Sequence, residues 1–157
     1  SINYRGARFT DGLDHYTSDR LSYHHQAIFS RKMNENLSLI VAPSIVHWNL
    51  VPGPRDPNDT YHLLLGGRPT LTKRIALTGE YAFSSNRRYG SGATEERFHN
   101  PLSVGVDIET GGHVFQFHLS NTRAMSDPLW MAQNPYSAAN GSLFLGFNIS
   151  RVFTVRQ

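Results

Sequence analysis

The chain has 157 residues and a net charge of +3, which predicts one domain spanning residues 1–157 and, with no block of like charge, no nucleic-acid partner. Its mean hydropathy is −0.40, and the absence of any run of about 18 apolar residues excludes a transmembrane helix. It has no cysteine, which excludes thiol catalysis, disulfide bonds and cysteine-based zinc sites.

Eight segments alternate apolar and polar residues with the period of two that is typical of β-strands. They are residues 1–9, 20–31, 37–49, 61–69, 75–84, 101–108, 113–122 and 141–154. The connections between them alternate long and short, as in outer-membrane barrels with long extracellular loops and short periplasmic turns. The sequence therefore predicts an all-β protein, an antiparallel up-and-down transmembrane β-barrel with eight strands in this chain.

The chain starts within an alternating run, Ile2-Asn3-Tyr4-Arg5, so we expect an N-terminus that lacks its signal peptide and earlier strands. The short connection Glu109-Thr110-Gly111-Gly112 predicts a tight hairpin, because glycine supplies the positive φ angles of such turns. Pro43 lies within the third segment and has no N–H, so a bulge or an unpaired position is expected there.

The apolar face of the strands is expected to meet lipid, with aromatic residues at the membrane interface. This girdle is predicted to include Tyr23, Tyr61, Tyr81 and Phe153. His25 and His47 share the apolar face, and we expect them near the interface, where polar groups cost least.

The opposite face carries polar side chains that we expect to line the barrel lumen. They are Arg68, Glu80, Asp107, Gln116, His24, Gln26 and Asn148. Arg68, Glu80 and Asp107 come from consecutive strands, and an ion-pair network is expected because an unpaired charge in a narrow lumen is costly. The alternative is a charge filter or binding cup in a water-filled lumen.

His118 and Ser120 share one face of a strand, near its long-loop end. Outer-membrane phospholipases and lipid A deacylases carry such a His-x-Ser pair, in which the histidine activates the serine hydroxyl. Those enzymes attack lipid from the outer wall, whereas here Phe117 and Leu119 fill the wall face, and no third orienting residue is identifiable. We therefore expect no catalytic residue, with a lipid hydrolase using His118 and Ser120 as the alternative.

The eight histidines show no spacing typical of a metal site, and adjacent His24 and His25 point to opposite faces of a strand. No metal ion and no other cofactor is therefore expected.

Two stretches, DIETGGHVFQ at 107–116 and GFNISRVF at 146–153, carry a resemblance to a known family. Three further stretches agree with it: RLSY from Arg20 with Gln26, APS at 42–44 up to His47, and LTKR at 71–74 with Glu80-Tyr81. Together they resemble an uncharacterised β-barrel family of Bacteroidetes-type bacteria. The resemblance implies an exported outer-membrane barrel with further strands before Ser1, of which this chain is the C-terminal portion. It assigns no catalytic residue, and Phe153 resembles the aromatic end of a final barrel strand.

The expected function is that of a Gram-negative outer-membrane barrel without catalysis. It would act as a narrow, porin-like channel or as a structural or partner-binding subunit of an outer-membrane assembly. The expected partners are outer-membrane lipids and other outer-membrane or periplasmic proteins. A soluble lipocalin-like carrier is a further alternative, because its strands alternate in the same way but bury their apolar faces inside.

Overall fold

Nine antiparallel strands form one sheet in the computed structural model, which describes residues 1–7, 9, 14–51, 56–85 and 98–151. The strands are β1 (Ile2–Tyr4), β2 (Leu21–Gln26), β3 (Phe29–Asn34), β4 (Leu37–Trp48), β5 (Asp59–Thr72), β6 (Ile75–Ser85), β7 (Leu102–Thr110), β8 (His113–Ser120) and β9 (Phe144–Arg151). Between the strands, the described residues form one α-helix, α1 (Asp127–Ala132), and two short 3-10 helices, Thr17–Arg20 and Ala138–Asn140. The predicted all-β, antiparallel fold is confirmed.

The strands follow one another in the sheet in chain order, except that β2 and β3 both pair with β4. The predicted eight strands are therefore wrong in one place, because the segment 20–31 is two strands and not one. β1 and β9 lie at the two ends of the sheet, and no pairing joins them within the described residues. The predicted extension of the last strand to residue 154 lies outside the described residues.

Pro43 of β4 explains where the predicted segment 20–31 divides into β2 and β3. The Ala27 N–H donates to the Pro43 carbonyl at 3.1 Å, so the Pro43 backbone faces the neighbouring strand at this position. In an extended chain the nitrogen and the carbonyl of one residue point to the same side. The nitrogen that lacks a hydrogen therefore faces the gap between β2 and β3, and the pairing resumes at Phe29 with Val41.

Tight turns join β3 to β4, β5 to β6 and β7 to β8 at residues 35–36, 73–74 and 111–112. The φ angles of Gly111 and Gly112 are 55° and 92°, which is the backbone conformation that the Gly-Gly pair predicts. Longer stretches separate the strands at the other end of the sheet. The alternation of connection lengths is as predicted.

The two faces of the sheet differ in chemistry. One face, here called the apolar face, exposes large hydrophobic side chains: Leu39, Val41, Leu63, Leu65, Leu77, Phe83, Val104, Phe117, Leu119, Leu145, Phe147 and Ile149. The opposite face, here called the polar face, buries polar side chains, Ser22, His24, Ser44, Thr60, His62, Asp107 and Ser120, together with a few small or branched apolar ones, Ala42, Val46, Leu64, Ala76 and Ala82. A sheet in water would bury its apolar face, so this inverted pattern is typical of a wall in contact with lipid.

Candidate functional site: the polar face of the sheet

The strand register places all seven of the predicted lumenal residues on the polar face. Asp107 of β7 pairs with Gln116 of β8, which pairs with Asn148 of β9. The other four, Arg68, Glu80, His24 and Gln26, have the same side-chain direction on their own strands. Whether this face lines a closed lumen stays a prediction.

Four of these residues form one hydrogen-bonded chain across β5, β7, β8 and β9. The Arg68 Nε donates to Asp107 Oδ2 at 3.0 Å, and the Gln116 Nε2 donates to Asp107 Oδ1 at 3.1 Å. The Asn148 Nδ2 donates to Gln116 Oε1 at 2.9 Å. Since the Asp107 side chain is only 9% exposed, these two donors offset the cost of removing its carboxylate from water.

The reach of Arg68 to Asp107 depends on a small residue between them. The β6 residue that pairs with Asp107 is Ala76, which is buried and carries only a methyl group. This small side chain leaves space for the Arg68 side chain to reach Asp107 across β6. Glu80 lies four residues from Ala76 along β6, which is roughly 13 Å at the strand rise. It therefore takes no part in the hydrogen-bonded chain from Arg68 to Asn148.

Two buried histidines form a second polar cluster near the long-loop end of the sheet. The His62 Nδ1 is hydrogen-bonded to Ser84 Oγ and its Nε2 to Thr60 Oγ1, both at 2.9 Å. The His24 Nδ1 lies 3.3 Å from Asp127 Oδ2. The sequence prediction missed His62, although it has the same strand parity as Arg68 and was therefore identifiable.

The helix α1 covers this cluster. The sequence prediction missed the helix because it treated residues 123–140 as a loop. Trp130 packs against a buried group of small and apolar wall residues, Ala42, Leu64 and Ala82. The Ser84 Oγ donates to the Met131 carbonyl at 3.0 Å. The run from Ser126 through Asp127 and Pro128 is a recognisable helix start, and it precedes apolar residues.

Two buried asparagines fix the chain on either side of the helix. The Asn121 Nδ2 donates to the carbonyls of Asn100 and Tyr136, both at 3.0 Å, while its Oδ1 accepts from the Leu102 N–H. The His99 N–H donates to the Asn134 carbonyl at 2.8 Å. Both asparagines are 1% exposed, so these hydrogen bonds are shielded from water.

His118 and Ser120 lie on the polar face, but their side chains make separate contacts. The Ser120 Oγ accepts a hydrogen bond from the Thr122 N–H at 3.2 Å. The His118 imidazole lies over Gly146 of β9, where a Cβ atom would overlap the ring. Both side chains are within the described part of the chain, and no hydrogen bond joins them.

The predicted girdle residues Tyr23, Tyr61 and Tyr81 lie on the apolar face by strand register. Phe153 lies outside the described residues. His47 is also on this face, next to the long-loop end, and its Nδ1 donates to Asp59 Oδ1 at 2.7 Å. This hydrogen bond gives both polar groups a partner, which fits the interfacial position expected for His47.

Within the described ranges, no three His, Asp or Glu side chains are close enough together to hold a metal ion. The helices found in those same ranges are all too short or too polar to span a bilayer.

A sheet with one exposed apolar face and one more polar, buried face is typical of the wall of a membrane β-barrel. The chain belongs to the family described as "Membrane bound beta barrel domain (DUF5777)", whose model matches residues 1–153. A membrane location is thereby shown, and the soluble lipocalin-like alternative does not fit. Neither the curated proteins nor the solved structures contain a match to the chain.

Proposed function

We propose that the chain forms part of a non-catalytic outer-membrane barrel whose polar face lines a narrow aqueous passage. The observation that carries the proposal is the hydrogen-bonded chain from Arg68 through Asp107 and Gln116 to Asn148, on the face opposite the exposed apolar side chains. Polar groups of this kind are stable inside a membrane only where they pair with one another or meet water. The strands have one apolar and one polar face, and their connections alternate in length. Both features support a location in the outer membrane of a Gram-negative bacterium.

We propose further that this sheet is the C-terminal portion of a larger barrel of Bacteroidetes-type bacteria. Within the described residues, β3 pairs on one side only, with β4, and β9 pairs on one side only, with β8. An unpaired strand edge cannot lie in the hydrocarbon region, because its N–H and C=O groups would have no partner. Additional strands between β9 and the edge that β1 and β3 form would pair with these groups and widen the passage.

Conductance tests the channel directly. The full-length protein, purified from native outer membranes and inserted into planar bilayers, is expected to give discrete single-channel steps, because water-filled barrels conduct ions. Heat-unfolded protein at the same concentration is the control. A protein that inserts in folded form but gives no steps would overturn the channel and favour a structural or partner-binding subunit.

The absence of catalysis is tested at Ser120. Because Ser120 Oγ and His118 make separate contacts, we expect Ser120→Ala to leave any phospholipid or lipid A turnover by the purified protein unchanged. Thr122→Ala, which keeps the serine, serves as the control for local disturbance. Loss of turnover in the Ser120 variant alone would establish the hydrolase in place of the channel.

A further inference from the structure

The connection between β8 and β9, residues 121–143, crosses the polar face of the sheet. It starts from β8, yet its helix α1 contacts β2, β5 and β6. In the sheet order, β7 separates β8 from β6, and β2 lies further away still. The connection therefore runs back over several strands of the wall, on the side of His24, Ser44 and Ser84.

The helix of this segment is held against the wall by a small apolar patch and a few hydrogen bonds. The indole of Trp130 packs on Ala42 and Ala82, which are both fully buried. The Met131 carbonyl accepts from Ser84 Oγ, and the Met131 Sδ lies 3.3 Å from Ser44 Oγ. Thioether sulfur is a weak acceptor, so the Trp130 packing and the Ser84 hydrogen bond contribute most.

A gap lined by both polar and apolar residues remains beside the helix. A cavity of about 280 Å³ is bordered by Gln26 and Glu80 of the wall and by Asp127 and Trp130 of the crossing segment. At roughly 30 Å³ for each water molecule, such a gap holds several waters, and it is slightly smaller than the about 300–1,000 Å³ of pockets that bind drug-sized ligands. The segment thus narrows the space over the polar face without filling it.

We propose that residues 121–143 are a resident plug that blocks the passage to drug-sized and larger organic solutes and leaves room for water and small solutes. The blocking of a passage rests on the proposed channel, but the position of residues 121–143 over the polar face is testable by itself. Asn121 and Asn134 fix the plug on either side of its helix, while Trp130 and Met131 hold the helix against the wall. Weakening the helix contacts should therefore uncover the wall and leave the attachment points in place.

The test uses single cysteines in a chain that has none of its own. Ser44→Cys is nearly isosteric and lies under Met131, while Ser38→Cys lies on the same face of β4 away from the helix. Modification by a water-soluble methanethiosulfonate reagent is measured in folded protein. Replacing residues 124–132 by a Gly-Ser linker of equal length should raise the rate for the Ser44→Cys thiol at least about tenfold, since accessibility controls thiol reactivity.

The rate for the Ser38→Cys thiol should change by less than about twofold, because no part of the plug covers it. An unchanged rate for the Ser44→Cys thiol in the linker variant would overturn the plug. If the linker variant does not fold, Trp130→Ala takes its place, with a smaller expected increase in the modification rate of the Ser44→Cys thiol. An unchanged rate in that variant would also overturn the plug. Folding is checked for every variant by the heat-dependent shift in gel mobility.

Single-channel recording separates the plug from the channel. If both are correct, the linker variant conducts better than the parent protein and admits organic ions that the parent excludes. If the modification rate of the Ser44→Cys thiol rises but neither protein conducts, the plug stands and the channel proposal fails. If the parent conducts and the linker variant neither exposes that thiol nor conducts better, the plug fails and the channel stands.

Discussion

Arg68→Ala is expected to lower the free energy of unfolding by about 2 kcal/mol, because it leaves the buried Asp107 carboxylate without its cationic partner. The Arg68 side chain is half exposed, which places the loss below that of a fully buried pair. The measurement is urea unfolding in lipid vesicles, followed by the fluorescence of the two tryptophans.

Arg74→Ala, at an exposed turn residue, is the matched control and should have little effect. The Asp107→Asn background supplies the second control, since it removes the charge that needs compensation. In that background Arg68→Ala should cost much less than in the parent protein. An equal cost in both backgrounds would show that Arg68 stabilises the sheet by packing and not through Asp107.

Leu77→Arg is expected to destabilise the membrane-inserted protein by roughly 2 kcal/mol, since its side chain would place a charge in hydrocarbon. Leu77 shares a row of the apolar face with Val106, Phe117 and Phe147, near the middle of β7 and β8. The measurement is again urea unfolding in vesicles.

Glu80→Arg is the matched control, three residues along β6 and on the polar face. Glu80 is exposed and borders the gap of about 280 Å³, so a longer side chain has room there. We expect a much smaller loss than for Leu77→Arg. Equal losses for both variants, or a larger loss for Glu80→Arg, would mean that the apolar face does not meet lipid.

The sequence predicts the faces of the strands better than their pairing. Alternation alone places Arg68, Glu80 and Asp107 on one face, and they do lie there. It does not give the register between strands, which decides that Asp107 pairs opposite Ala76 and not opposite Glu80. The ion pair therefore forms between Arg68 and Asp107, and Glu80 lies beside the helix instead.

The sequence predicted an irregular pairing at Pro43, but it did not predict that the segment 20–31 would be the one to divide into β2 and β3. Pro43 requires an interruption, and the sequence does not show which neighbouring strand is interrupted. The pairing of β4 with two strands on one side answers this.

The helix α1 was missed for a different reason. Six residues are too few to form a stable helix alone, so its stability comes from the packing of Trp130 on Ala42, Leu64 and Ala82. Those wall residues come from three neighbouring strands, β4, β5 and β6, that are far from the helix in the sequence. Alternation gives no sign that a loop returns to them.

The measurement that tests the central conclusion most directly is a lipid-quenching scan along β6. A fluorophore is attached to single cysteines placed one at a time at residues 76 to 83, in the protein inserted into vesicles. Brominated lipid tails should quench it at the apolar-face positions, Leu77, Gly79, Tyr81 and Phe83, and should leave the positions between them unquenched. Quenching without this alternation, or with the opposite alternation, would contradict a wall whose apolar face lies in lipid.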